Sequence, residues 1–194
     1  MQIEDIISDV QVYGLEESIR RSKYPMAIDT QACSSEPTKT TYSLGRASVG
    51  SGHDNWLNGV IVQFDLTFTN KAWVEAERYH FLDFVSSQST MHRITKFDLD
   101  KAYVEYVDPL IIKVMKQLVA QYNHNPTPDN YLKVLYSNPA GFKITAGMTT
   151  NYRQLKTIYY QRKNHRLPEW RVFCSWIETL PMFKELILNE NSQN

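Results

Sequence analysis

The stretch Gly141–Val172, GFKITAGMTTNYRQLKTIYYQRKNHRLPEWRV, restricts the fold more than any other part of the chain. Phe142, Ile144, Ala146 and Met148 alternate with small or polar neighbours, which predicts a half-buried strand. Thr149, Thr150 and Asn151 each carry an oxygen able to cap a helix. Leu155, Ile158, Tyr159 and Arg162 then recur at i, i+3, i+4 and i+7, one face of that helix. An arginine on an apolar face must either extend to water or meet an anion, because a buried unpaired charge is costly. The strand, cap and helix therefore set both a local architecture and a chemical question.

The rest of the chain is read around this unit. A length of 194 residues fits one domain with a sizeable core, expected to span 1–194 with a disordered tail at 189–194. Lys+Arg and Asp+Glu balance at 21 each, so no bulk field draws the protein to nucleic acid or an acidic membrane. The short basic run Arg162–Arg166 reads as a solvated helix end. No apolar run approaches a membrane span. Cys33 and Cys174 sit in unrelated contexts, which points to free thiols and a reducing, cytoplasmic setting. His80 and His92 lack metal-ligand spacing, and no metal is expected.

In chain order, Met1–Val12 fits either a strand or a short helix, and Gly14–Tyr24 a short helix closed by Pro25. Asp29–Gly52 reads as a long loop broken by a short helix near Lys39–Arg46. Val60–Phe68 alternates Val60, Val62, Phe64, Leu66 and Phe68 against polar residues, a strand with one buried face. Lys71–Gln88 is expected as one helix, and Asp98–Asn123 as a second that is kinked or broken at Pro109. Pro128 opens a short helix, and Glu169–Leu188 is a last helix interrupted at Pro181.

The pattern T-x-N-x-R-x-L followed by an arginine, here Thr149, Asn151, Arg153, Leu155 and Arg162, resembles the C-terminal motif of the flavin-dependent thymidylate synthases. Gly52-His53-Asp54 resembles that family's G-H-E/D segment, and Ser18, Arg20 and Arg21 its N-terminal serine–arginine helix. Trp170 and Arg171 are similar to its late tryptophan motif, so the resemblance covers most of Gly14–Val172. It implies an α+β fold: a small twisted antiparallel sheet with several helices. It implies FAD as cofactor, held by Asn151, Arg153, His53, Arg78 and His80, and a dUMP-like substrate held by Arg162, Arg93 and Lys133. Arg162, Arg93 and Ser87 are then the candidate catalytic residues. It further implies a homotetramer with active sites between subunits, acting on pyrimidine nucleotides.

The chain departs from the family where the signature R-H-R triplet should stand. One alignment puts Leu82-Asp83-Phe84 at those positions, and a three-residue shift puts Arg78 and His80 at the first two. Loss of that charge removes preorganised cations where negative charge develops in the reaction. Two readings follow: a divergent nucleotide-modifying flavoprotein, or a member that kept the fold as a nucleotide- or protein-binding module.

Overall fold

The computed structural model describes residues 1–188, so the expectation for a tail at 189–194 lies outside the described residues. The elements in order are β1 (Ile7–Tyr13), α1 (Leu15–Arg21), α2 (Lys39–Gly45), β2 (Ile61–Thr69), α3 (Asn70–Ala76), β3 (Asp83–Ser87), α4 (Thr90–Arg93), α5 (Pro109–His124), α6 (Pro128–Ser137), β4 (Lys143–Asn151), α7 (Tyr152–Arg162), α8 (Pro168–Ile177) and α9 (Phe183–Ile187). The strands form one antiparallel sheet in the order β1-β2-β4-β3. The expected α+β class, a small antiparallel sheet with several helices, is what the chain adopts.

The alternation in β2 sets which face is dry. Val62, Phe64, Leu66 and Phe68 are buried, whereas Ile61 and Gln63 are exposed. Helices α3, α7, α8 and α9 cover that face with Trp73, Leu155, Ile158, Trp170, Phe173, Trp176 and Phe183. The rings interlock rather than stack: Phe64 and Trp176 centroids are 4.6 Å apart and tilted, and Phe68 meets Trp170 edge-on at 4.9 Å. A smaller cluster of Ile94, Leu99, Tyr103, Met115, Val134 and Phe142 lies beneath the α5–α6 hairpin.

The ambiguous N-terminus resolves as a short 3-10 turn, Ile3–Asp5, followed by β1. Gly14 then turns the chain into α1 with φ +73°, in the left-handed region that glycine occupies at little cost. Pro181 breaks the C-terminal helix as expected, leaving α8 and α9 on either side of Met182, whose φ is 55°.

Two expectations are corrected. The predicted helix Lys71–Gln88 is only α3, and its second half is β3, with Asp83 opposite Thr149 and Ser87 opposite Ala146. Helical periodicity over residues 77–88 yields to the ladder that satisfies the outer edge of β4, and the Phe84-Val85 pair suits a pleated strand. Likewise, Asp98–Asn123 is neither one kinked helix nor two helices broken at Pro109, because only the part from Pro109 is helical. Residues 98–107 are turns with a bridge between Tyr103 and Phe142. Pro109 starts α5, because the Asp108 carboxylate accepts from the Leu110 N–H at 2.8 Å and proline needs no donor at the first helical position.

Among the described residues, two apolar surfaces have no cover. All five residues of β3 are exposed, including Phe84 and Val85. On α5 only Met115 is buried, and Leu110, Ile111 and Val114 face outward.

Candidate functional site

The expected site residues fall into three groups. The first lies where β4 runs into α7. Asn151 caps α7, its Oδ1 accepting from the Gln154 N–H at 2.8 Å, so the cap predicted from sequence is this residue. Two residues on, Arg153 Nε donates to Asp54 Oδ1 at 3.0 Å, and about one helical turn after Arg153 Lys156 Nζ donates to Asp54 Oδ2 at 2.8 Å. Lys156 and Asp54 are each 1% exposed. The ammonium also meets the carbonyls of Gly45 (2.9 Å) and Ala47, using all three of its protons. Such completeness is what burial of a charged pair requires, since desolvation otherwise outweighs the Coulomb attraction.

Asp54 therefore fixes Arg153 by one nitrogen, and no hydrogen bond occupies its Nη1 or Nη2 among the described residues. His53 precedes Asp54 and is exposed, its imidazole making no hydrogen bond among the described residues. Beside it opens a groove of about 920 Å³ whose lining includes Tyr24, Met26, Leu44 and Trp56, with Arg21 and Lys23 at its rim. Arg153 does not line this groove but is tied through Asp54 to its wall at His53 and Asn55, and its unoccupied Nη donors suit an anionic group.

The second group surrounds Arg162. The choice posed by its place on an apolar face, water or an anion, is settled by Glu75. Arg162 is 8% exposed, its Nη1 donates to Glu75 Oε2 at 2.9 Å and its Nε to the Tyr79 hydroxyl at 2.7 Å. The guanidinium also lies 5.0 Å from the Trp170 ring and 5.6 Å from the Tyr79 ring. Glu75 Oε2 is 3.1 Å from His165 Nε2, and Glu75 Oε1 is 3.3 Å from Lys71 Nζ. Burial pushes the Glu75 carboxyl upward, but the Lys71 hydrogen bond and the charges of His165 and Arg162 pull harder and hold it below its ordinary value. Burial lowers His165, with Glu75 opposing it. Arg78 and His80 sit close by in the exposed turn after α3.

The third group lies at the far end of β3. Ser87 is exposed, and Arg93, the last residue of α4, lines a shallow pocket of about 440 Å³ with Gln88, Ser89, Lys96, Phe97 and Asp98. Lys133 is exposed on α6 and donates to Asn130 Oδ1 at 3.4 Å. Because Ser87 is opposite Ala146, five strand residues separate it from Asn151 along β4, about 17 Å. One chain thus brings His53, Asn151 and Arg153 to one end of the sheet and Ser87 and Arg93 to the other.

No family model matches the sequence, and no curated protein matches it. The fold, by contrast, has clear counterparts among solved structures. One flavin-dependent thymidylate synthase ThyX from Helicobacter pylori, complexed with FAD and dUMP, superposes with TM-score 0.71 at 14% identity, covering 94% of this chain and 99% of that one. A second structure of ThyX from the same organism, with FAD and dUMP, gives TM-score 0.74 at 13% identity, covering 96% and 100%. The chain has the flavin-dependent thymidylate synthase fold.

Within this fold, Gly52-His53-Asp54 lies ahead of β2, and Thr149–Leu155 spans the β4–α7 junction. Sequence reasoning missed Glu75, Lys156 and the anchoring role of Asp54. Lys156 gave no signal, since a lysine beside the apolar stripe reads as solvent-facing. Glu75 had one, its i+4 spacing from Lys71. Among the described residues no group of three His, Cys, Asp or Glu side chains is placed to hold a metal, and no helix is long and apolar enough to cross a membrane.

Proposed function

We propose that this protein binds a dUMP-like pyrimidine deoxynucleotide and FAD and acts in pyrimidine-nucleotide modification, as a divergent flavin-dependent methyltransferase of dUMP or a related enzyme. The observation that carries the reading is the β4–α7 junction: within a ThyX-like fold, Asp54 ties Arg153 to the His53–Asn55 segment, whose His53 and Asn55 line the groove, and the Arg153 Nη donors have no partner among the described residues. In this reading Arg153, Asn151 and His53 hold the flavin, with Arg78 and His80 contributing from the turn after α3. Arg162 and Arg93 face the nucleotide, with Lys133 near its phosphate and Ser87 at the reacting base. A bound flavin would supply hydride to the pyrimidine. The chain's own residues supply cations at the nucleotide's anionic atoms and exclude water by closing the groove.

The 17 Å between Asn151 and Ser87 supports a site completed by a second copy, with the exposed apolar faces of β3 and α5 as the contact surfaces and a homotetramer as the assembly. We place the protein in the cytoplasm, where Cys33 and Cys174 stay unpaired thiols.

A second reading has its own observation. With Leu82-Asp83-Phe84 at the start of β3 and Arg162 already paired to Glu75, the positive charge expected at the reacting base is reduced. The fold would then serve as a nucleotide- or protein-binding module without turnover. Calorimetric titration of the purified full chain with FAD and with dUMP, followed by an assay of dUMP-dependent flavin oxidation, decides between them. Micromolar binding of both ligands with oxidation supports the enzyme, and nucleotide binding without oxidation supports the module. Binding of neither ligand refutes both nucleotide readings.

A further inference from the structure

The guanidinium of Arg162 presents three nitrogens, and their occupancy is unequal. Nε is taken by the Tyr79 hydroxyl at 2.7 Å and Nη1 by Glu75 at 2.9 Å, whereas Nη2 has no hydrogen-bond partner among the described residues. Arginine binds phosphate best through two parallel N–H donors, and the Nη1–Nη2 edge is the pair suited to this. Glu75 occupies half of that edge. No other carboxylate lies within ion-pair distance of Arg162 among the described residues, while Lys71 and His165 both reach Glu75.

We propose that Glu75 is a specificity-determining residue: it holds Arg162 as an internal anion, so that a ligand gains the full guanidinium fork only by presenting a phosphate that outcompetes a carboxylate. The identity of that ligand as a nucleotide rests on the function proposed above. The competition at Arg162 does not. When the phosphate enters, Glu75 retains the Lys71 ammonium and the nearby His165 ring nitrogen as partners, so the carboxylate exchanges one cation for another already in contact with it. Neutral ligands, such as the nucleoside without phosphate, have nothing to exchange for Glu75 and leave the pair closed.

The test compares the wild-type chain with Glu75→Gln, Glu75→Asp and the double variant Glu75→Gln/Arg162→Gln, each titrated with dUMP and with inorganic phosphate. Glu75→Gln keeps the side-chain shape and removes the competing charge. It is expected to bind both probes at least ten-fold more tightly than wild type, a gain that the double variant loses. A merely structural role for Glu75 would lower affinity and melting temperature together. If Glu75→Gln is folded by circular dichroism and binds neither probe more tightly, the proposal is overturned. If it does not fold, Glu75→Asp decides, because retracting the carboxylate by one methylene must raise phosphate affinity, and unchanged affinity overturns the proposal. A gain for inorganic phosphate without a gain for dUMP sustains the competition at Arg162 and counts against the nucleotide reading. Tight dUMP binding by wild type with no gain in Glu75→Gln does the reverse.

Discussion

Replacement of Lys156 by methionine tests the buried ion cluster that positions Arg153. The substitution preserves length and most of the volume, so little packing is lost, but it removes three donors at once. Asp54, 1% exposed, keeps only Arg153, and the carbonyls of Gly45 and Ala47 lose their shared partner. Removing one member of a buried pair costs about 3–5 kcal/mol, since the remaining charge is left without compensation. With an unfolding entropy of roughly 2.1 cal/mol/K per residue, a chain of this length loses about 7–12 °C in melting temperature. Urea unfolding followed by circular dichroism at fixed protein concentration measures the loss directly. The double variant Asp54→Asn/Lys156→Met removes both charges and should lose less than the sum of the single changes. A loss below about 1 kcal/mol for Lys156→Met would falsify the account, because a buried ammonium with three protein acceptors cannot be that cheap to delete.

Arg153→Ala leaves the Asp54–Lys156 pair in place, so the fold should hold while FAD affinity falls at least ten-fold by calorimetry, in line with the loss of a charge-assisted contact worth about 1.5–3 kcal/mol. Arg162→Ala strands Glu75 with Lys71 and His165, and both dUMP affinity and thermal stability should drop; unchanged nucleotide affinity removes Arg162 from the site. Glu75 is held below its ordinary value in the folded chain, so its contribution to stability is present above the unfolded carboxylate pKa of 4.5 and is lost as pH falls through the lower folded value. Chemical denaturation from pH 6 down to pH 3 should show that loss in wild type and a flatter profile in Glu75→Gln. Val85→Glu on the exposed strand should shift sedimentation toward smaller species, because burying that valine in an assembly is worth about 1.5–3 kcal/mol per copy and a carboxylate reverses the sign.

Legibility in the sequence followed the range of the physics involved. The faces of β2, β4 and α7 could be read because local periodicity and burial agree there: Val62, Phe64, Leu66, Ala146, Met148, Leu155 and Ile158 are all in the core. β3 could not, because its strand state comes from an edge supplied by β4 some sixty residues later, while its own residues also tolerate a helix. The same distinction holds at the site. Asn151 as a cap and Arg162 as a buried cation follow from local pattern. The partners do not: Glu75 and Asp54 reach Arg162 and Arg153 from α3 and from the loop before β2, at separations of 87 and 99 residues, where no spacing rule applies.

The sheet order carries a consequence for biosynthesis. Ile61 of β2 pairs with Asn151 of β4, so the central ladder joins residues up to ninety positions apart. At a translation rate of 5–20 residues per second, β2 leaves the ribosome about 5–18 s before its partner is made. During that interval the segment Ile61–Thr69, rich in valine, phenylalanine and leucine, has only β1 as a neighbour and one open edge. An open apolar edge of this kind is what ribosome-associated chaperones shield, so expression yield is expected to respond to their supply more than the stability of the finished protein does.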